Sequence, residues 1–105
     1  MTDRTFVREA VLALFLILLP AQLISLNPEP PVQGGKVEIG YDAPNEDPEA
    51  TFTLRITWSP SGDTEDIEVP NGGSVEVDVP SDATNILIED LDGPSPDKSS
   101  AVEPS

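Results

Sequence analysis

The 105-residue sequence contains no cysteine and no histidine, and only five basic side chains stand against twenty acidic ones. Without cysteine, no disulfide can staple the fold, and thiolate nucleophiles and thiolate metal ligands are excluded. Without histidine, the chain lacks the side chain that titrates near neutral pH and the common imidazole ligand of transition metals. The serines at 59, 61, 74 and 81 therefore have no imidazole to activate them, and none of these four stands in an S-x-x-K arrangement that would offer a lysine instead. Asp63-Thr64-Glu65 approaches the Asp-Thr-Gly of aspartic proteases, but glutamate replaces the glycine and no second such motif exists. No N-x-S/T glycosylation acceptor occurs. Catalysis is left without candidate residues, and the expectation is a non-enzyme.

Positive charge is the next scarcity. Residues 1–26 balance two acids with Arg4 and Arg8, whereas residues 27–105 carry 18 acids against Lys36, Arg55 and Lys98, and the formal net charge is −15. A field of that sign repels nucleic acid and anionic lipid headgroups, so no nucleic-acid partner is expected. What carboxylates at this density can attract is calcium, which takes roughly six to eight oxygen ligands. The best set for it is Asp42, Asn45, Asp47 and Glu49, all in one loop. Further acids fall at Asp63, Glu65, Asp66, Asp90 and Asp92, but none of the spacings matches an EF-hand. Solvated acidic loops with no resident metal or cofactor are the expectation, and calcium binding is the alternative.

Long apolar runs are absent except for one, Ala10 to Leu26, AVLALFLILLPAQLISL, with 17 uncharged residues. As a helix it would reach about 25 Å, at the short end for a hydrocarbon core of roughly 30 Å. Arg4 and Arg8 ahead of it favour an N-terminus left on the inner side of the membrane. Residues 1–26 thus read as a membrane anchor or a signal peptide. The anchor is favoured because no pair of small residues marks a cleavage site, and cutting after Ser25 would leave Leu23 at the −3 position. The remainder is expected outside the cytoplasm, tethered through residues 10–26 or secreted if the segment is cleaved.

Beyond the run the period changes to two. Asn27 to Gly35, NPEPPVQGG, reads as a proline- and glycine-rich stalk over residues 27–35. Val37, Ile39 and Tyr41 then alternate with charged or small residues, and Phe52, Leu54, Ile56 and Trp58 alternate with Thr51, Thr53, Arg55 and Thr57. Each pattern is that of a strand with one buried face. Ile67 and Val69 suggest a third strand, and Val75, Val77 and Val79 a fourth. The turn Pro70-Asn71-Gly72-Gly73 between them predicts a hairpin. Ile86 to Leu91 is a fifth strand, apolar in both phases and so expected to be covered on both sides. Residues 36–92 form the acidic β-domain in this reading, and 93–105, rich in proline, serine and charge, a disordered tail.

The expected fold is mainly β: one N-terminal hydrophobic helix, then a small antiparallel sandwich or barrel-like domain of about five strands. With an aromatic strand that includes Trp58 in ITWSP, it resembles a truncated immunoglobulin or fibronectin type III module, which also carries a tryptophan in an early strand. The later strand and the tyrosine motif of those families are not evident, and no functional residue is carried over. Trp58 and Tyr41 share the phase of the core residues beside them, which places them in the core rather than on a sugar- or peptide-binding face. A domain this small, without disulfide or metal, suits contact with a protein partner or a second copy of itself. The expected role is a non-enzymatic module for protein–protein contact or structural support in an envelope or surface assembly, with calcium or carbohydrate binding as the alternative.

Overall fold

The computed structural model describes residues 21–105, so residues 10–20 of the apolar run, and with them the expected helix, lie outside the described residues. Seven strands follow one another: β1 (Ile24–Asn27), β2 (Lys36–Tyr41), β3 (Thr51–Ser59), β4 (Thr64–Pro70), β5 (Gly73–Asp78), β6 (Asn85–Asp90) and β7 (Lys98–Ala101). They form two antiparallel sheets, one in the order β1-β2-β5 and the other β4-β3-β6-β7. The chain therefore changes sheet after β2, after β4 and again after β5.

Alternation decides which residues face inward. On β3, the longest strand, Phe52, Leu54, Ile56 and Trp58 are all buried while Thr51 and Arg55 are exposed. Val37, Ile39 and Tyr41 of β2 do the same in the other sheet, and both sets belong to one hydrophobic cluster with Val69, Val77, Ile86 and Ile88. On β6 only one phase is core. Ile86 and Ile88 are buried, Leu87 is half-buried, and Leu91 lies beyond the strand end, 45% exposed. The two-sided cover expected for this strand does not form, because no further layer packs outside the four-stranded sheet among the described residues.

Other expectations are corrected. Ile24 and Leu26, read as the end of the apolar run, are buried core residues, and β1 pairs Ile24 with Tyr41 and Leu26 with Ile39. The segment 27–35 does not stand off as a stalk. Pro31 is fully buried, Val32 bridges in parallel to Glu103, and Gly34 N donates to Val79 O at 3.0 Å. The tail is also ordered. Lys98–Ala101 adds β7 to the sheet edge beside β6, and Val102 is buried. The core thus draws on residues from Ile24 to Val102, more chain than the 56 residues of Lys36 to Leu91.

The hairpin expected across Pro70-Asn71-Gly72-Gly73 is absent, because β4 pairs with β3 and β5 pairs with β2. The turn's polar groups are used elsewhere: Asn71 N donates to Ala50 O at 2.9 Å and Gly72 N to Tyr41 O at 2.7 Å. With φ at +80°, Gly72 makes the turn in a region that side-chain-bearing residues rarely adopt. It carries the chain from one sheet to the other.

Inward and outward positions of β3 should respond very differently to truncation. Leu54→Ala is expected to cost about 2–5 kcal/mol by leaving a cavity. Thr57→Ala, on the outer face, should stay within about 0.5 kcal/mol. Urea denaturation followed by circular dichroism measures both, and equal losses would contradict the assigned faces.

Candidate functional site

At one end of the domain, four segments converge: residues 21–23, the β2–β3 loop, the turn after β4 and the loop after β6. Asp90, at the end of β6, joins Tyr41 at the end of β2 to the loop after β6 and, through Ser95, to Gln22. Tyr41 Oη donates to Asp90 Oδ2, Ser95 N donates to the same oxygen at 3.0 Å, and Gly93 N donates to Oδ1 at 2.9 Å. The Ser95 hydroxyl in turn donates to Gln22 Oε1 at 3.0 Å, and Gln22 Nε2 donates to Asp97 O at 3.0 Å. Tyr41 is 1% exposed and stacks on Phe52, with ring centroids 4.2 Å apart. A Cβ added to Gly93 would come within 2.6 Å of Asp90, Phe52 and Tyr41, so only glycine fits against the cluster. Burial, reinforced by the hydrogen bond to Asp90, raises the Tyr41 phenol above its ordinary range. The phenol keeps its proton at neutral pH, and the arrangement acts as a clasp between the two sheets.

The expected calcium set, Asp42, Asn45, Asp47 and Glu49, lies in the neighbouring loop, where Asp47 is the member whose side chain accepts a hydrogen bond. Asp47 Oδ1 accepts from Glu49 N at 2.8 Å, and Asp47 O accepts from Ala50 N at 3.0 Å. Asp42 donates its backbone N–H to Leu23 O at 3.0 Å, and Asn45 is exposed at the rim of a hollow. Among the described residues, no group of three or more Asp, Glu, His or Cys side chains is placed to hold a metal ion. Trp58, the other aromatic singled out from the sequence, is 3% exposed in the core.

Asn71 is the residue that sequence reasoning missed. Its side-chain oxygen accepts from Ala43 N at 2.8 Å while its amide donates to Ala43 O at 2.9 Å and Asp47 O at 3.1 Å. One side chain from the turn thus fixes both halves of the loop between Tyr41 and Thr51. The sequence marked Asn71 only as a turn former, and nothing in its neighbours signals a partner 28 positions earlier. Beside the fixed loop is a hollow of about 350 Å³ lined mainly by Leu23, Ala43, Pro44 and Pro94, with Asn45 and Glu46 at its edge.

Charge on the rest of the surface is one-sided. Lys36 pairs with Asp78 at 2.7 Å, Arg55 with Asp66 at 3.0 Å and Lys98 with Glu29 at 2.7 Å. These are all the basic side chains of residues 21–105, and apart from Glu76, 3.8 Å from Lys36, the remaining carboxylates form no ion pair among the described residues. The Arg55 guanidinium beside Asp66 holds that carboxyl below its ordinary range.

Tyr41 is the only tyrosine, so its titration can be read directly from phenolate absorbance. Because the folded state holds this proton more tightly than the unfolded chain does, the stability it contributes is complete below pH about 10. That stability should be lost as the pH rises through the folded phenol's range, and Tyr41→Phe should remove this part of the pH dependence. A tyrosine that titrates at its ordinary value without unfolding would contradict the clasp.

Calcium and sodium should act alike on this surface. At matched ionic strength, each is expected to raise the melting temperature by the same few degrees, through screening of carboxylate repulsion. A calcium-selective rise, abolished by Asp42→Asn with Asp47→Asn, would show a specific site. Compared with protein-family models, curated protein sequences and solved structures, the chain matches none.

Proposed function

We propose that the protein is an exported, non-enzymatic β-module that binds a protein partner through the loop end. In this reading the two sheets pack as a sandwich of the immunoglobulin or fibronectin type III kind. The three-plus-four division of strands and the three changes of sheet support it, since they follow a Greek-key course. The apolar run ahead of β1 supports export.

The observation that carries the binding role is the fixed loop. Asn71 and Asp47 hold the backbone from Ala43 to Ala50 in place, so Pro44, Asn45 and Glu46 are presented beside an apolar hollow with little ordering left to lose on contact. Asp42, Glu46, Asp47 and Glu49 are exposed around it. A second copy would bring the same negative charges to the contact, so the fitting partner is a different protein, with an apolar side chain for the hollow and basic groups for the rim.

Crosslinking of the exported protein in its own cells, followed by mass spectrometry, tests the reading. A specific partner should be recovered with the wild type and with Glu68→Lys on β4, and be depleted about tenfold with Glu46→Lys, a loss of about 1.4 kcal/mol. Equal recovery with both variants, or equal loss, would reject the loop end as the contact.

A further inference from the structure

The apolar run Ala10 to Leu26 cannot act as one element, because its last residues are already committed to the β-domain. Ile24 and Leu26 are 3% and 8% exposed and lie in register with Tyr41 and Ile39. Leu23 O accepts from Asp42 N at 3.0 Å, and the Gln22 side chain bonds Ser95 and Asp97. What remains for any membrane element is Ala10 to Ala21, twelve residues, bounded upstream by Arg8 and Glu9. Even as a continuous helix, twelve residues would reach only about 18 Å, against a hydrocarbon core of roughly 30 Å. The same length falls within the apolar core of about 7 to 15 residues that a cleavable signal peptide carries.

A signal peptide must end at a small residue, and between Leu14 and Leu26 only Ala21 and Ser25 are small. Cutting after Ser25 would divide β1, remove Ile24 from the core and break its pairing with Tyr41. Ala21 and Gln22 instead are both exposed, in irregular backbone immediately ahead of β1; a cut between them places Leu19 at −3, a leucine as a cut after Ser25 also would, but leaves every strand whole. We infer that a signal peptidase of the export machinery hydrolyses the bond between Ala21 and Gln22. Water adds across the peptide, leaving the Ala21 carboxylate on the leader and a new ammonium group on Gln22.

This inference rests on the export reading and deepens it. Ala21 lines the hollow beside Leu23 and Pro44, so the chain enters the domain at the same end as the proposed contact surface. An uncut leader would hold that end against the bilayer, and hydrolysis after Ala21 releases it.

The full chain, expressed with its own N-terminus in an exporting host, is fractionated, and the intact mass of the product in each fraction is measured. External protease added to whole cells reports the side on which the domain lies. The expected product is a soluble exported chain beginning at Gln22. Ala21→Phe should deplete that product at least tenfold and leave the full-length chain on the membrane. A mature chain beginning elsewhere, or Ala21→Phe processed as fast as the wild type, overturns the assigned bond. A wild-type chain that stays full length on the membrane, with its domain open to external protease, overturns cleavage while export stands. A full-length chain confined to the cytoplasm overturns both.

Discussion

The polar order at one end of the domain depends on one carboxylate. Asp90 sits at the end of β6 in the four-stranded sheet, and through the Tyr41 hydroxyl it reaches β2 in the other. The same two oxygens gather the backbone of Gly93 and Ser95, and Ser95 passes the connection on to Gln22. In a chain with no disulfide, this polar link ties both sheets, the loop after β6 and Gln22 together. Its position at the margin of the core matters. A buried acceptor is costly unless its lone pairs are used, and here three donors use them. No buried side-chain nitrogen or oxygen among the described residues is left without a partner.

Against that link stands the charge. Three ion pairs use every cation of the described residues, and they lie on the surface, where such pairs contribute little to stability. The unpaired carboxylates repel one another and oppose the compact state. Cohesion therefore comes from the hydrophobic cluster to which both sheets contribute, led by Leu54, Ile56, Ile39 and Ile88, all with no measurable exposure. The loop between Tyr41 and Thr51 is held by backbone and amide hydrogen bonds, those of the Asn71 side chain among them.

How much of this was legible depended on period and on distance along the chain. β2, β3 and β5 could be read because alternation is a local signal, and their faces point as the pattern implies. β1 was hidden by continuity, since Leu23, Ile24 and Leu26 extend an apolar run without a break in composition. β7, Lys-Ser-Ser-Ala, offers no large apolar residue, and its place is set by pairing with β6 and by Val102 just beyond it. The turn after β4 was recognised as a turn, but its pairing was misread, because the acceptors of its N–H groups, Tyr41 and Ala50, lie far back in the chain. The clasp was half legible. Tyr41 kept the phase of the core, but a hydroxyl partner 49 residues away leaves no trace in spacing.

Each sheet ends in strands with one row of backbone groups unpaired: β1 and β5 in one, β4 and β7 in the other. Such rims invite another chain to add a strand, the first step towards aggregation. Here the longest rim, β4, carries Glu65, Asp66 and Glu68, and β5 carries Glu76 and Asp78. A second copy docking strand to strand at about 4.8 Å would set these acids against their own kind. The charge that strains the folded state from within thus also opposes strand-to-strand docking at β4 and β5, two of the four open flanks.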